Sequence, residues 1–133
     1  MEESTRPKKS AEDSRAEQVH VLTMPTLNGN AYLSGAQLMA WVDEVSVVVA
    51  RRHSGTDVTT VRVDNLQFLL PAINRDTIVV KGFLTAVGNT SMTVHVDVYK
   101  ERFCGTQTRI AQADVLMVSL DEEEHPRVVP ALL

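Results

Sequence analysis

"LSGAQLMAWVDE" runs from Leu33 to Glu44, and its reading decides the fold. Ser34, followed three residues later by Gln37, has the form of a helix-opening capping box. From there apolar residues fall on nearly every face: Leu38, Met39, Ala40, Trp41 and Val42, then Val45, Val47, Val48, Val49 and Ala50. A helix apolar all round is buried on most sides. Its far end is marked by Arg51, Arg52 and His53, cations suited to the negative end of the helix dipole, and by Gly55, which supplies a left-handed cap. The segment predicts a helix of about 19 residues, roughly 28 Å long. Five valines lower its intrinsic propensity, so packing must hold it. Asp43 and Glu44 place charge where the pattern asks for apolar side chains.

Outward from this helix the chain is strand-like. Val19–Met24 alternates as a first strand that Pro25 ends, and "TLNGNAY" before the helix is a loop around Asn28-Gly29-Asn30. After the helix, residues 58–70 form a strand that stops at Pro71. Residues 77–87 form another, and "GNT" at Gly88–Thr90 signals a short hairpin. In 91–103, Met92, Val94, Val96 and Val98 alternate with Thr93, His95, Asp97 and Tyr99. Residues 108–120 are the last long strand. These strands exceed the usual length of about five or six residues, which suits a strongly curved sheet. One sheet and one buried helix predict an α+β fold in which an antiparallel sheet of about five or more strands wraps a long helix. A single such layer leaves a sheet edge exposed, so pairing with a second copy is expected. Residues 1–17 are polar and aperiodic and are expected to be a disordered tail, with one domain over 18–133.

The bulk numbers exclude some classes. The chain has 133 residues, 44% hydrophobic and 23% charged, with a net charge of −4. An acidic balance argues against nucleic-acid binding. No apolar run approaches the roughly 18–20 residues that span a membrane, and the N-terminus has no signal-peptide core. The single cysteine, Cys104, rules out an internal disulfide and implies a reducing, cytoplasmic setting. His20, His95 and His125 lack metal-ligand spacing, so no metal site is expected.

The sequence resembles a known family. "NGNAYLSGAQLMAWVDE", "VTTVRVDNLQF", Pro71 and Asp76 in P-x-x-x-x-D spacing, "GNTSMTVHVDVYKE" and "VVP" are similar, in that order, to the hotdog-fold acyl-CoA thioesterases. The resemblance spans about residues 19–131. It implies hydrolysis of the thioester between an acyl chain and coenzyme A without a metal, with coenzyme A as part of the substrate and no separate cofactor. It places the family's carboxylate, a general base or nucleophile, on Asp43. The carbonyl-binding side chain before the helix falls on Asn28, and the helix-start amide on Gly35 or Ala36. The turn of Asn89, Thr90, Ser91 and Met92 matches the region that lies against the coenzyme A nucleotide. A hotdog dimer, assembled as a trimer of dimers, is also implied, with Asn28 and the helix-start amide from one subunit and Asp43 from the other. The chain departs from the family in having Gly35-Ala36 where two glycines are commoner, and in lacking an Asp just before the asparagine.

Physical reasoning adds to this. Helix-start amides carry free N–H groups and the positive end of a dipole, suited to a developing oxyanion. Asp43 lies eight residues beyond Gly35, about 12 Å along the helix, so one carbonyl cannot meet both within a subunit. That separation favours a site shared by two subunits. Thr59 or Thr60 on the next strand is placed to orient water. Arg51 and Arg52 are candidates for a coenzyme A phosphate, as are Lys100 and Arg102. Ser34 reads as a cap, not a nucleophile, since no G-x-S-x-G elbow surrounds it. Two alternatives remain. A hotdog hydratase or dehydratase usually needs a histidine near the helix start, and none occurs between Val21 and Arg52. A non-catalytic acyl-CoA-binding protein would not need Asp43.

Overall fold

A computed structural model describes residues 6–133. In chain order the elements are β1 (Lys8–Lys9), a 3-10 turn (Ala11–Ser14), β2 (Ala16–Val21), a 3-10 turn (Met24–Thr26), α1 (Gly35–Ser54), β3 (Asp57–Phe68), β4 (Thr77–Val87), β5 (Ser91–Glu101), β6 (Gln107–Leu120) and β7 (Ala131–Leu132). Five strands form an antiparallel sheet in the order β2-β4-β5-β6-β3. The helix packs on one face of this sheet, as the sequence predicts. The arrangement is a hotdog fold. Strand β3 is an edge.

The sheet face toward α1 is built from alternate residues. Met92, Val94, Val96 and Val98 of β5 are each 0% exposed, while the residues between them are half-buried. The helix answers with Leu38, Trp41, Val42, Val45, Val49 and Ala50. This is a stripe at helical spacing, not burial on most sides. Met39, Asp43, Val47 and Val48 are half-buried, and Ala40 and Glu44 are exposed. Full burial of each large aliphatic side chain in the stripe contributes about 1.5–3 kcal/mol. Such terms offset the weak propensity of a valine-rich helix. Gly82 of β4 lets the sheet approach the helix: a Cβ there would meet Val49 Cγ2 at 3.1 Å and Val45 Cγ2 at 3.3 Å.

The helix ends differ from expectation in one respect each. Ser34 is the N-cap residue in extended backbone, but its side chain makes no cap hydrogen bond, so the capping box does not form. Its backbone is committed elsewhere: the Ser34 N–H donates to Thr26 O at 2.8 Å. At the far end Gly55 adopts φ 71° and its N–H donates to Arg51 O at 2.8 Å, as predicted. His53 does not face solvent. It is buried, with Nε2 2.7 Å from Pro130 O, while Nδ1 has no partner among the described residues.

The expected tail over residues 1–17 needs correction. Residues 1–5 lie outside the described ones, but residues 6–17 are built into the fold. β1 pairs in parallel with β7. Lys9 Nζ donates to Arg52 O and His53 O at 3.3 and 3.1 Å, capping the last carbonyls of α1. Arg6 donates to Val129 O at 2.8 Å and to Gly88 O at 2.7 Å. Ser14 and Ala16 are buried. The segment is held by long polar side chains reaching backbone carbonyls, and so it carries no hydrophobic period.

Candidate active site

Asp43 and Thr60 meet. Thr60 Oγ1 on β3 donates to Asp43 Oδ1 at 2.5 Å and lies 3.4 Å from Met117 Sδ on β6. Asp43 is on the half-buried flank of α1, while Thr60 is exposed. The threonine holds one carboxylate oxygen and leaves Oδ2 without a partner among the described residues. Thr59, the other residue considered for this role, makes no such contact. Glu44 faces solvent, as expected for one member of the pair.

Gly35 and Ala36 start the helix and are both exposed. Leu38 N–H is the first to find a helical carbonyl, Ser34 O at 3.0 Å. The amides of Gly35, Ala36 and Gln37 have no acceptor among the described residues, as helix geometry requires when no side chain caps them. The absent capping box therefore leaves donors free where a carbonyl oxygen could use them.

Asn28 is pinned in its loop by its own side chain. Oδ1 accepts from Asn30 N–H at 2.9 Å and Tyr32 N–H at 3.1 Å, and Asn28 N–H donates to Tyr32 O at 2.7 Å. With Oδ1 engaged, the Nδ2 amide of this exposed residue is left as an available donor. The loop is fastened to the segment after β3: Leu33 N–H donates to Ala72 O at 2.8 Å, and Asp76 Oδ2 accepts from Ile73 N–H at 2.8 Å. The P-x-x-x-x-D spacing thus supports the loop that carries Asn28.

The structure places these groups at two stations along β3. Thr60 marks the Asp43 station. Phe68, at the other end of the strand, packs against Gly35, where a side chain would meet the ring at 3.6 Å. Beside Gly35 opens a cavity of about 380 Å³ lined by Tyr32, Leu33, Leu38, Phe68, Leu70 and Ile110, among others. The sequence reading missed this role of Phe68-Leu69-Leu70, although an apolar run at the point where strand alternation lapses was the available signal.

The expected nucleotide-facing residues divide. Asn89 is exposed and Thr90 and Ser91 are half-buried. Met92 is 0% exposed in the core, because β5 turns its alternate residues inward from that position, so its side chain is withdrawn from any surface ligand. Arg51 pairs with Asp57 at 3.3 Å across the helix end. Arg52 Nη1 donates to Arg15 O at 2.6 Å, a bond that ties down the N-terminal segment. Lys100 donates to Pro71 O at 3.2 Å.

A second polar cluster lies on the sheet face away from the helix. His95 Nδ1 is 2.7 Å from Asp114 Oδ1 and Nε2 is 3.0 Å from Asp97 Oδ1, while Asn65 Nδ2 donates to Asp114 Oδ2 at 2.9 Å. Burial opposes the charged form of His95, but hydrogen bonds and charge from Asp114 and Asp97 outweigh it and raise its pKa. Burial likewise pushes Asp114 up, and hydrogen bonds from Asn65 and His95 more than reverse this, leaving its pKa lowered. His20 stacks on Trp41 at 4.0 Å, and burial lowers its pKa despite the nearby Glu44. His125 is less isolated than its spacing implied. Ligand atoms of Asp121, Glu123 and His125 lie within 4.8 Å of one another. Asp121 Oδ1, however, already accepts two backbone N–H groups of this turn.

The family model described as the thioesterase superfamily matches residues 30–102, more than half of the chain. The chain belongs to this superfamily. The match begins in the Asn28 loop and includes the helix start, Asp43, Thr60 and the Asn89 turn. A relative from Bacillus subtilis, named as an uncharacterized acyl-CoA thioester hydrolase, is 32% identical over 114 residues, 85% of this chain and 66% of the relative. The chain therefore spans slightly less than two thirds of that relative's length. A crystal structure of a hexameric acyl-CoA thioesterase superposes with a TM-score of 0.92 at 29% identity, covering 96% of this chain and 82% of the other. Acyl-CoA hydrolase of Staphylococcus aureus, solved with butyryl coenzyme A and coenzyme A, gives a TM-score of 0.92 at 27% identity, over 96% and 78%. Other structures of the S. aureus enzyme carry alanine in place of an asparagine, an aspartate or a threonine. Among the described residues, no helix is long and apolar enough to cross a membrane.

Proposed function

We propose that this chain is an acyl-CoA thioesterase whose active site is completed by a second copy of itself. The observation that carries the reading is the placement of both half-sites along one unpaired edge. Thr60 holds Asp43 toward one end of β3, and Phe68 backs Gly35 at the other. The backbone groups on the outer side of β3 seek a partner. Antiparallel pairing of β3 with its own copy, about a two-fold axis near the midpoint Asp64, sets Thr60 opposite the partner's Phe68. The partner's Asp43 then stands beside Gly35, and the separation of about 12 Å within one helix ceases to matter.

In this arrangement the thioester carbonyl oxygen lies against the Gly35 or Ala36 N–H and the Asn28 Nδ2 of one subunit. Water attacks the carbonyl carbon and gives its proton to the partner's Asp43, whose Oδ1 is fixed by Thr60. The oxyanion is held by preorganised donors, each worth about 2.7–4 kcal/mol in the transition state. Collapse breaks the carbon–sulfur bond, and the thiolate of coenzyme A takes the proton back from Asp43. The products are a carboxylic acid and free coenzyme A. Direct attack by the Asp43 carboxylate, with water opening the resulting anhydride, uses the same groups. Neither route asks for a metal or separate cofactor.

A hexameric acyl-CoA thioesterase of similar fold supports assembly as a hexamer, in our reading a trimer of such dimers, and Asn89, Thr90 and Ser91 are the candidates to meet the coenzyme A nucleotide. A cytoplasmic setting fits the lone, exposed Cys104. The reading is tested by thiol release from acyl-CoAs. Turnover by the wild type and loss in Asp43→Ala are expected. No turnover with any acyl-CoA would end it, and turnover unchanged in Asp43→Ala would end the mechanism.

A further inference from the structure

Resting on that reading, we infer that the cavity beside Gly35 takes the acyl chain and sets a preference for medium-length acyl groups of about eight to twelve carbons. The cavity begins at the helix-start amide, so a carbonyl held there would feed its substituent directly into it. Its walls are the side chains of Leu33, Leu38, Phe68, Leu70 and Ile110, with no charged residue among those lining it. Pantetheine carries two amides and the nucleotide carries phosphates. Neither would find enough partners in such walls, and an unpaired buried amide is costly. A hydrocarbon chain needs none.

The direction of binding agrees. The Asn89–Ser91 turn sits at the opposite end of the molecule, beside the C-terminal end of α1. Ser119 N–H bonds Thr90 O at 2.9 Å, and Ser119 Oγ lies 2.6 Å from Thr56 Oγ1, just past the helix end. In the paired arrangement that turn belongs to the subunit giving Asp43, and the cavity to the subunit giving Gly35. Coenzyme A then approaches over one subunit while the acyl chain enters the other.

The volume sets the length. An apolar cavity of about 150 Å³ holds benzene, six carbons. At about 380 Å³, the present cavity holds at most about fifteen carbons by the same ratio, and fewer because its mouth is open. Phe68, Leu69 and Leu70, 55%, 44% and 46% exposed in the single chain, form an apolar rim that the partner strand and a bound chain would cover together. Each methylene that enters is expected to raise kcat/KM about fourfold, until the cavity is full.

The test is kcat/KM across straight-chain acyl-CoAs from acetyl to palmitoyl, for the wild type, Leu70→Trp and Phe68→Ala, with the oligomeric state of each checked by light scattering. The wild type should peak between octanoyl- and dodecanoyl-CoA. Leu70→Trp, which fills the cavity from its rim, should lower the decanoyl-to-acetyl ratio about tenfold or more. Phe68→Ala should move the peak to longer chains. Hydrolysis with the same chain-length profile in all three proteins would overturn this inference and leave the proposed function standing. Absence of hydrolysis at every length would remove the reading beneath it.

Discussion

Thr60 Oγ1 donates to Asp43 Oδ1 across 2.5 Å, and this bond joins the free edge strand to the one carboxylate on the flank of α1. Asp43 is therefore neither a stray charge nor a core defect. It is oriented by a strand that would lie at a subunit contact, with its second oxygen left open. Removing either partner should affect activity far more than stability. Asp43→Asn keeps the shape and a hydrogen bond but removes the base, and kcat should fall about 10²–10⁴-fold. Thr60→Val should lower kcat less, on the order of tenfold, because the carboxylate remains but loses its orientation. Steady-state kinetics with a thiol-trapping reagent gives both values, and equal losses would assign Thr60 a chemical role.

Asn28 offers a sharper dissection. Its Oδ1 holds the loop, and its Nδ2 has no partner among the described residues. Asn28→Asp keeps an oxygen for the two backbone amides and removes that donor. It should fold with a melting temperature close to that of the wild type, yet lose about 10²–10³ in kcat. A variant that retains activity would make Asn28 a turn residue only.

The His95 cluster predicts a pH dependence of stability. His95 has a folded pKa above its unfolded value of about 6.5. Its contribution is thus fully present below that pH and is lost as pH rises through the folded pKa. Asp114 has a folded pKa below its unfolded value of about 3.9. Its contribution is present above that value and lost as pH falls through the folded pKa. The cluster helps most between these limits. His20, shifted down, works against stability as pH falls below about 6.5. Thermal melts of His95→Gln should therefore show the largest loss near pH 5–6, shrinking toward pH 9. A loss constant with pH would mean the ring contributes packing alone.

Gly82 is a packing requirement. A Cβ would sit 3.1 Å from Val49 Cγ2, against side chains that are fully buried. Gly82→Ala should cost about 1–3 kcal/mol, read as a lower urea midpoint with unchanged slope. A companion Val49→Ala change should recover part of the loss by making room.

Much of this was legible because long periodic elements state themselves. Thr77–Val87 was placed at both ends, since Pro71 and Asp76 punctuate one side and Gly88 the other. The α1 helix was placed to within a residue by Ser34 and Gly55. β2 was misplaced, beginning at Ala16 instead of Val19, because its inward positions include the polar Gln18 and His20. The N-terminal strap was missed because two-residue strands and 3-10 turns have no period. Asp43 and Asn28 were read through resemblance, and the spacing of Gly35 and Asp43 along one helix adds a physical reason to expect a shared site. The acyl cavity was hidden because it is formed by residues distant in sequence, from Leu33 to Ile110.

The central claim is that each active site draws Asn28 from one chain and Asp43 from another. Mixing two inactive variants, Asp43→Ala and Asn28→Ala, tests it most directly. After denaturation and refolding together in equal amounts, half of the dimers pair one chain of each kind, and each such dimer holds one intact site. The mixture should regain about a quarter of wild-type activity, as random two-fold pairing requires, while each variant refolded alone stays inactive. A refolded mixture as inactive as its components would contradict the shared site.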